Sequence, residues 1–389
     1  PTSGPSLRLG VPSLRHPSAG HRLRLASLHL LSMTAAAPQR ATRSPRMNAS
    51  TQPSVTGPVD QNQKQPRRPT GRPDWGPMQR MQLFRLSMDI VGAKEEEIIH
   101  MNTLTVNLHL LMASFYKPTK DRHLIIMEAD AFPSDQYVVE SQVRMHGFDP
   151  ETSIVEVSPV EGETLISTDQ IKELIRKNGD RTALVLFGGI QYFTGQCLDM
   201  AEISKVTHET GAFLGLDLAH AVGNVPLKLH EWGVDFAAWC TYKYLNSGPG
   251  AIGGVYIHEK YATDPTFPRL AGWYGYNAAT RFLMQKKFQA TPTAEGWQLS
   301  NAPILSFAPL IASHSLFQQA GMERLRNKSV RLTSYLTYLL DSIPAKERIF
   351  EIITPRESSA RGAQLSLFTD HQGKALFQYL SERGVVCDW

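Results

Sequence analysis

Asp217 ends the apolar run of AFLGLDLAH, and Lys243 stands between two tyrosines in WCTYKYLNSGPG. A buried carboxylate can hold a protonated ring nitrogen and a lysine amine can condense with an aldehyde, so the pair offers both handles for an electron-sink cofactor. Either residue alone is more often a solvated surface group. Their neighbours decide between the readings.

His220 follows Asp217 by three residues, where it can reach the same ligand from the loop or simply cap the strand end by hydrogen bonding to backbone. In NTLTVNLHLLMASF, Thr103 and Thr105 precede the helical apolar positions Val106, Leu108, Leu110 and Leu111. Their hydroxyls and the first free N–H groups form a phosphate seat, or plain N-caps. In EADAFPSDQYVVESQ, Phe132 offers a stacking face and Ser134 and Asp135 offer polar groups, although a turn around Pro133 explains the segment equally well. Taken together, these groups give phosphate a helix N-terminus, the ring an aromatic face, its nitrogen a carboxylate and its aldehyde an amine. That set fits pyridoxal 5′-phosphate (PLP), with Lys243 as the Schiff-base lysine and later proton carrier.

Positioning such groups calls for strand ends and helix starts. From about Gln82 the sequence alternates short β-rich runs with helical patterns, the mark of an α/β fold around a mostly parallel sheet. Strands are predicted at residues 123–129, 182–190, 212–219 and 251–257, so that Asp217 and the 129–135 segment fall at carboxyl ends, where open parallel sheets bind ligands. Ser167 and Gln170 have capping-box spacing ahead of Ile171, Leu174 and Ile175, with Gly179 to close that helix. Met200, Ile203 and Val206 form another helical face, ended by Gly211. Beyond residue 305 the text predicts one long helix or two, then a strand at QLSLFTD, a helix at KALFQYLSERGVV and an entering strand at Val385, Val386 and Cys387.

Composition bounds the remainder. The 389 residues carry three widely spaced cysteines, Cys197, Cys240 and Cys387, with no CxxC pattern, which argues against a disulfide framework or zinc site and for a reducing compartment. No apolar stretch reaches the length of a membrane span. Residues 1–80 carry a net +10 and the rest −6. This Pro, Ser and Arg-rich start is expected to be disordered; it reads as a transit peptide, a nucleic-acid-touching tail without interleaved aromatics, or translated leader ahead of Met33 or Met47. Gly248, Gly250 and Gly253 spell GxGxxG but lead into a β-run instead of a helix, so the dinucleotide reading fails. Neither GxSxG nor HExxH occurs, so no serine elbow or catalytic metal is expected.

The segments TLTVNLHLLMASFYKPT, IIMEADAFPSDQYVVESQ, LFGGIQYFTGQ, LDLAHAVGNVPLKLHEWGVDFAAWCTYKYLNSGPGAIGG and LSNAPIL resemble kynureninases, PLP enzymes of fold type I, over roughly residues 82–389. The resemblance implies Lys243 as the cofactor lysine, Asp217 on the ring nitrogen and Phe132 on the ring face, with Leu104, Thr105, Pro133, Ser134, Asp135, His220 and Tyr242 completing the cofactor shell. Tyr242 would also serve the phosphate or a proton transfer. Trp273 and Asn301 would reach the site of the neighbouring subunit in a homodimer. The implied reaction is hydrolysis of L-kynurenine or 3-hydroxy-L-kynurenine to an anthranilate and L-alanine, a cytoplasmic step of tryptophan catabolism toward NAD.

The resemblance also implies three regions: a basic tail over 1–81, a PLP-binding domain over 82–304 and an incomplete small domain over 305–389. Three departures accompany it. Gly188 stands where the family has a serine, and the amino-terminal turn and histidine have no match in residues 1–81. The family's arginine for the substrate carboxylate falls past the position of Trp389 and has no match in this chain. Reduced turnover is therefore expected, since these losses fall mainly on substrate binding. The competing readings are a related PLP desulfurase or lyase using Cys240 or Cys387, and an impaired dimer-forming scaffold.

Overall fold

A computed structural model describes residues 27–29, 75–369 and 373–388. Apart from those positions, the expected basic tail lies outside the described residues, and the expected start of order at Gln82 falls inside a helix that begins at Trp75. The strands are β1 (Ser27–His29), β2 (Ile98–His100), β3 (Leu124–Glu128), β4 (Ile154–Val157), β5 (Thr182–Gly188), β6 (Phe213–Asp217), β7 (Phe236–Trp239), β8 (Gly254–Ile257), β9 (Glu351–Ile352) and β10 (Gln364–Phe368). The helices are α1 (Trp75–Val91), α2 (Leu104–Phe115), α3 (Pro133–Met145), the single turn α4 (Pro150–Ser153), α5 (Thr168–Asn178), α6 (Met200–Glu209), the single turn α7 (Glu259–Ala262), α8 (Ile304–Ala320), α9 (Met322–Asp341) and α10 (Gly373–Glu382).

Seven strands form one sheet in the order β2-β8-β7-β6-β5-β3-β4. Pairing is parallel from β4 through β7, while β8 runs antiparallel to both β7 and β2. Both faces are covered, and that explains why the central strands read as unbroken apolar runs. Val185, Phe187, Leu214 and Leu216 point into one core with Ile171 and Ile175 of α5 and Ile203 and Val206 of α6. Leu184, Leu186, Phe236 and Ala238 point into the other with Leu108 and Leu111 of α2 and Val138 of α3. The α5 capping box forms as predicted, Ser167 accepting from the Gln170 N–H and the Gln170 side chain accepting from the Ser167 N–H. Gly211, at φ 72°, ends the α6 segment in the left-handed conformation that glycine favours.

Two strand expectations need revision. The run at 251–257 is a strand only from Gly254, because Gly248 (φ 86°) and Gly250 (φ 69°) turn the chain first. Val385–Cys387 leave α10 as irregular chain and form no strand among the described residues. Past Ile343 the chain adds β9 and β10, which with β1 make a small antiparallel sheet in the order β1-β10-β9. It docks on the loop after β5: Gln364 Nε2 donates to the carbonyls of Tyr192 (2.9 Å) and Phe193 (3.1 Å), and Thr354 Oγ1 donates to that of Thr194 (2.6 Å). Among the described residues no helix is long and apolar enough to cross a membrane.

Candidate active site

The carboxyl ends of β3, β5, β6 and β7 open onto one region, as parallel strands of a common sheet must. Two helices start there. Thr103 caps α2 and Phe132 caps α3, which has Pro133 in its first turn, and neither cap side chain accepts from the helix N–H groups. Thr105 Oγ1 lies 2.8 Å from Ser134 Oγ and so ties the two starts together. Converging N-termini with hydroxyls between them concentrate positive potential and donors where an anion can sit. Leu104 is half-buried against the core below.

Asp217 ends β6 in register with Gly188 of β5 and Ala238 of β7. Its Oδ1 accepts from the Ala219 N–H at 2.7 Å, and the Asp135 carboxyl lies close enough for each acid to perturb the other. Burial raises the proton affinity of both acids; their mutual repulsion adds to this at Asp135, while the nearby Lys243 charge opposes it. Glu128, ending β3, is a third buried acid here, with its pKa pushed up to about 8 by burial and then by Asp217.

Lys243 arrives on the loop after β7. That loop is held from within by Asn246 N–H to Lys243 O (3.0 Å) and Ser247 N–H to Thr241 O (3.0 Å), and from outside by Ser313 of α8, whose hydroxyl donates to Leu245 O. The Lys243 Nζ lies 3.1 Å from His220 Nε2 and 5.7 Å from the centroid of the Phe132 ring. His220 is therefore more than a strand cap. Phe132 is 48 % exposed, and Tyr192 meets it edge-on at 5.2 Å, so one ring face is left for a ligand. Tyr242 is exposed beside Cys240, and partial burial together with that thiol pushes its phenol up to about 12, so it is a neutral donor.

Lys243, His220, Phe132, Asp217, Asp135, Ser134, Thr105 and Tyr242 thus share the region that the sequence predicted. Trp273 and Asn301 do not join them. Trp273 is 44 % exposed and its ring contacts are Phe282 and Arg281, each at 6.0 Å. Asn301 is also exposed. Sequence reasoning missed Glu128 and Tyr192: both lie in distinctive segments, EADAFPSDQ and LFGGIQYFTGQ, but nothing in that wording singles either out. The cysteines do not fit a mobile nucleophile: Cys240 is 3 % exposed with its thiol pKa raised by burial, and Cys387 packs against Phe377 and Leu380. A distant cluster of Glu97, His230 and His258 has metal-ligand chemistry. Its lone pairs are already engaged, however. Glu97 Oε1 accepts from His230 Nδ1 (2.9 Å) and the Glu259 N–H (2.9 Å), and His258 Nδ1 accepts from the Lys260 N–H (3.2 Å).

Comparison with known proteins fits this geometry. The class-V aminotransferase family model matches residues 82–388. Kynureninase of Koribacter versatilis is 51 % identical over 319 residues, covering 82 % of this chain and 74 % of that protein. The kynureninase of Myxococcus xanthus is 53 % identical over 300 residues, covering 77 % and 70 %. Among solved structures, a cysteine desulfurase from Thermococcus onnurineus NA1 superposes with a TM-score of 0.62 at 18 % identity, covering 79 % of this chain and 72 % of that one. The C-DES protein with glycine covalently linked to its PLP cofactor gives 0.64 at 18 %, covering 79 % and 77 %. The two structures share the fold with this chain at low identity, whereas half of all aligned positions agree with the kynureninases, and on that ground the chain belongs to the kynureninase family of class-V aminotransferase-type enzymes.

Proposed function

We propose that this protein is a PLP-dependent hydrolase that cleaves L-kynurenine, or its 3-hydroxy form, between Cβ and Cγ to give an anthranilate and L-alanine. The observation that carries the reading is the convergence of Lys243, Asp217, Phe132 and the two helix starts in one region of a chain that is half identical to kynureninases.

The residues present fit the cofactor. Asp135 Oδ1 is a buried oxygen without a hydrogen-bond partner, beside an Asp217 that already lends one oxygen to a backbone N–H. Such a pair is costly unless a cationic donor completes it, and a protonated ring nitrogen is one. The two helix starts, with Thr105 and Ser134, would hold the phosphate, Phe132 the ring face and Lys243 the aldehyde carbon. When bound, PLP supplies an electron sink for charge developing at the substrate Cα.

The chain's own groups do the rest. Lys243 Nζ takes the proton from substrate Cα, and His220 Nε2, at 3.1 Å, holds that amine in place through a hydrogen bond. Tyr242, kept neutral by its raised pKa, donates a hydrogen bond to phosphate or substrate. Asp217 keeps its negative charge for the ring nitrogen. The Phe132 and Tyr192 rings shield one side of the site from water.

The enzyme is read as a homodimer in which Trp273 and Asn301 face the partner's site. Support comes from an exposed apolar stretch beside Trp273: Phe282 is 74 % exposed, Leu283 67 % and Met284 71 %. Three unpaired cysteines support a cytoplasmic location. Borohydride reduction of the PLP-loaded chain followed by peptide mapping tests the cofactor reading. Label is expected on Lys243; label elsewhere, or none, refutes it.

A further inference from the structure

Glu128 is the one buried acid at the site that the proposed reaction does not use. It ends β3 and is 4 % exposed. The Gly188 backbone of β5 lies against it and opposes the rise in its pKa. A Cβ on Gly188 would lie 3.2 Å from Glu128 Oε1, so the carboxyl fills space that a larger residue at 188 would contest. Gly188 is in turn in register with Asp217. At the carboxyl edge of the sheet Glu128 of β3 and Asp217 of β6 thus stand on either side of β5, with Asp135 of α3 close to Asp217.

Charge cannot be spread evenly over this row. The titratable groups facing Glu128 are Asp217 of β6 and Asp135 of α3, both acids. Lys243 counters those two, with His220 against its amine. Glu128 Oε2 is buried with no hydrogen-bond partner. As a carboxylate it would hold a buried charge with one oxygen unpaired beside like charge, the costly arrangement; as an acid it would not. Burial and Asp217 act together in that direction, placing its titration at about 8.

We propose that Glu128 is a positioning residue of the cofactor site: its carboxyl, buried against Gly188 with Oε2 unpaired, holds a proton and leaves Asp217 as the carboxylate facing the ring nitrogen. The inference rests on the cofactor reading above. A second charge on Glu128 would raise the proton affinity of Asp217 and weaken its role as a fixed negative partner. Gly188 is part of the device, because its missing side chain admits the Glu128 carboxyl.

Isotope-edited infrared spectroscopy tests this on the wild-type chain without any substitution. Unlabelled protein and protein carrying ¹³C-carboxyl glutamate are compared while pH is raised through about 8. A protonated-carboxyl band that shifts with the glutamate label, vanishes above that pH and is missing from Glu128→Gln is expected. The lack of any protonated glutamate at neutral pH overturns the proposal. PLP affinity is the second readout. Glu128→Gln, which mimics the neutral acid, keeps it within about threefold, whereas Glu128→Leu, which removes the polar group beside Asp217, loses about tenfold. A loss for Gln as large as for Leu overturns the proposal as well. Borohydride labelling of Lys243 in each variant reports separately whether the site takes PLP, so a failed cofactor reading is not mistaken for a failed role of Glu128.

Discussion

The Lys243 amine and the His220 imidazole meet at 3.1 Å, and Phe132 stands 5.7 Å from the same nitrogen. Lys243→Ala is therefore expected to lose both borohydride labelling and turnover, as mass mapping and alanine assay will read. Asp217→Asn keeps the shape but gives up the charge that stabilises a protonated ring nitrogen; kcat should fall about 100-fold or more, with a smaller change in KM. Glu128 also carries a stability signature. Its pKa rises from 4.5 to about 8 on folding, so the folded chain holds the extra proton across that window. Stability from this group is full below about 4.5 and falls as pH rises through 8, and Glu128→Gln flattens that decline in chemical-denaturation midpoints. Asp135 acts in the same direction. Asp217, Lys243, His220 and Phe132 were legible in the sequence because each stands in distinctive wording. Glu128 and Tyr192 were not, since their roles come from Gly188 beside one and Phe132 beside the other, neighbours made by folding.

At the scale of elements, the site exists because four strand ends and two helix starts share an edge of the sheet. Removing both hydroxyls that join the helix starts, as Thr105→Ala with Ser134→Ala, should weaken PLP binding about tenfold or more by fluorescence titration. The sheet's interior tolerates little change. A Cβ on Gly215 of β6 would come within 2.3 Å of Phe236 Cζ, and Gly215→Ala is expected to cost about 1–3 kcal/mol of stability through overpacking. Strands β3, β5 and β6 were legible as unbroken apolar runs. The strands β2, β4 and β7 are only three or four residues long, too short for their patterns to stand out, and Phe-Ala-Ala-Trp of β7 carries no β-branched residue at all. They become strands by pairing with neighbours distant in sequence. The same holds for the docking of β10 on the loop that carries Tyr192, which rests on Gln364.

At the scale of the molecule, three exposed apolar side chains in a row, Phe282, Leu283 and Met284, are a poor surface for a monomer. Sedimentation equilibrium should show a dimer for the full chain, and Phe282→Ser with Met284→Ser should shift it toward monomer; an unchanged dimer would remove this patch from the interface. The chain's reading as an α/β PLP enzyme was legible before any fold was seen, because strand ends, helix starts and the Asp217 and Lys243 wording all agree. What pattern could not supply was the charge balance among three buried acids, which depends on distances across the sheet. The proposed function of the whole molecule is carbon-carbon hydrolysis at this site. Its most direct test is to incubate the PLP-loaded chain with L-kynurenine and quantify both products: equimolar anthranilate and alanine, absent with Lys243→Ala, is the predicted result. A chain that carries PLP on Lys243 yet releases neither product would contradict it.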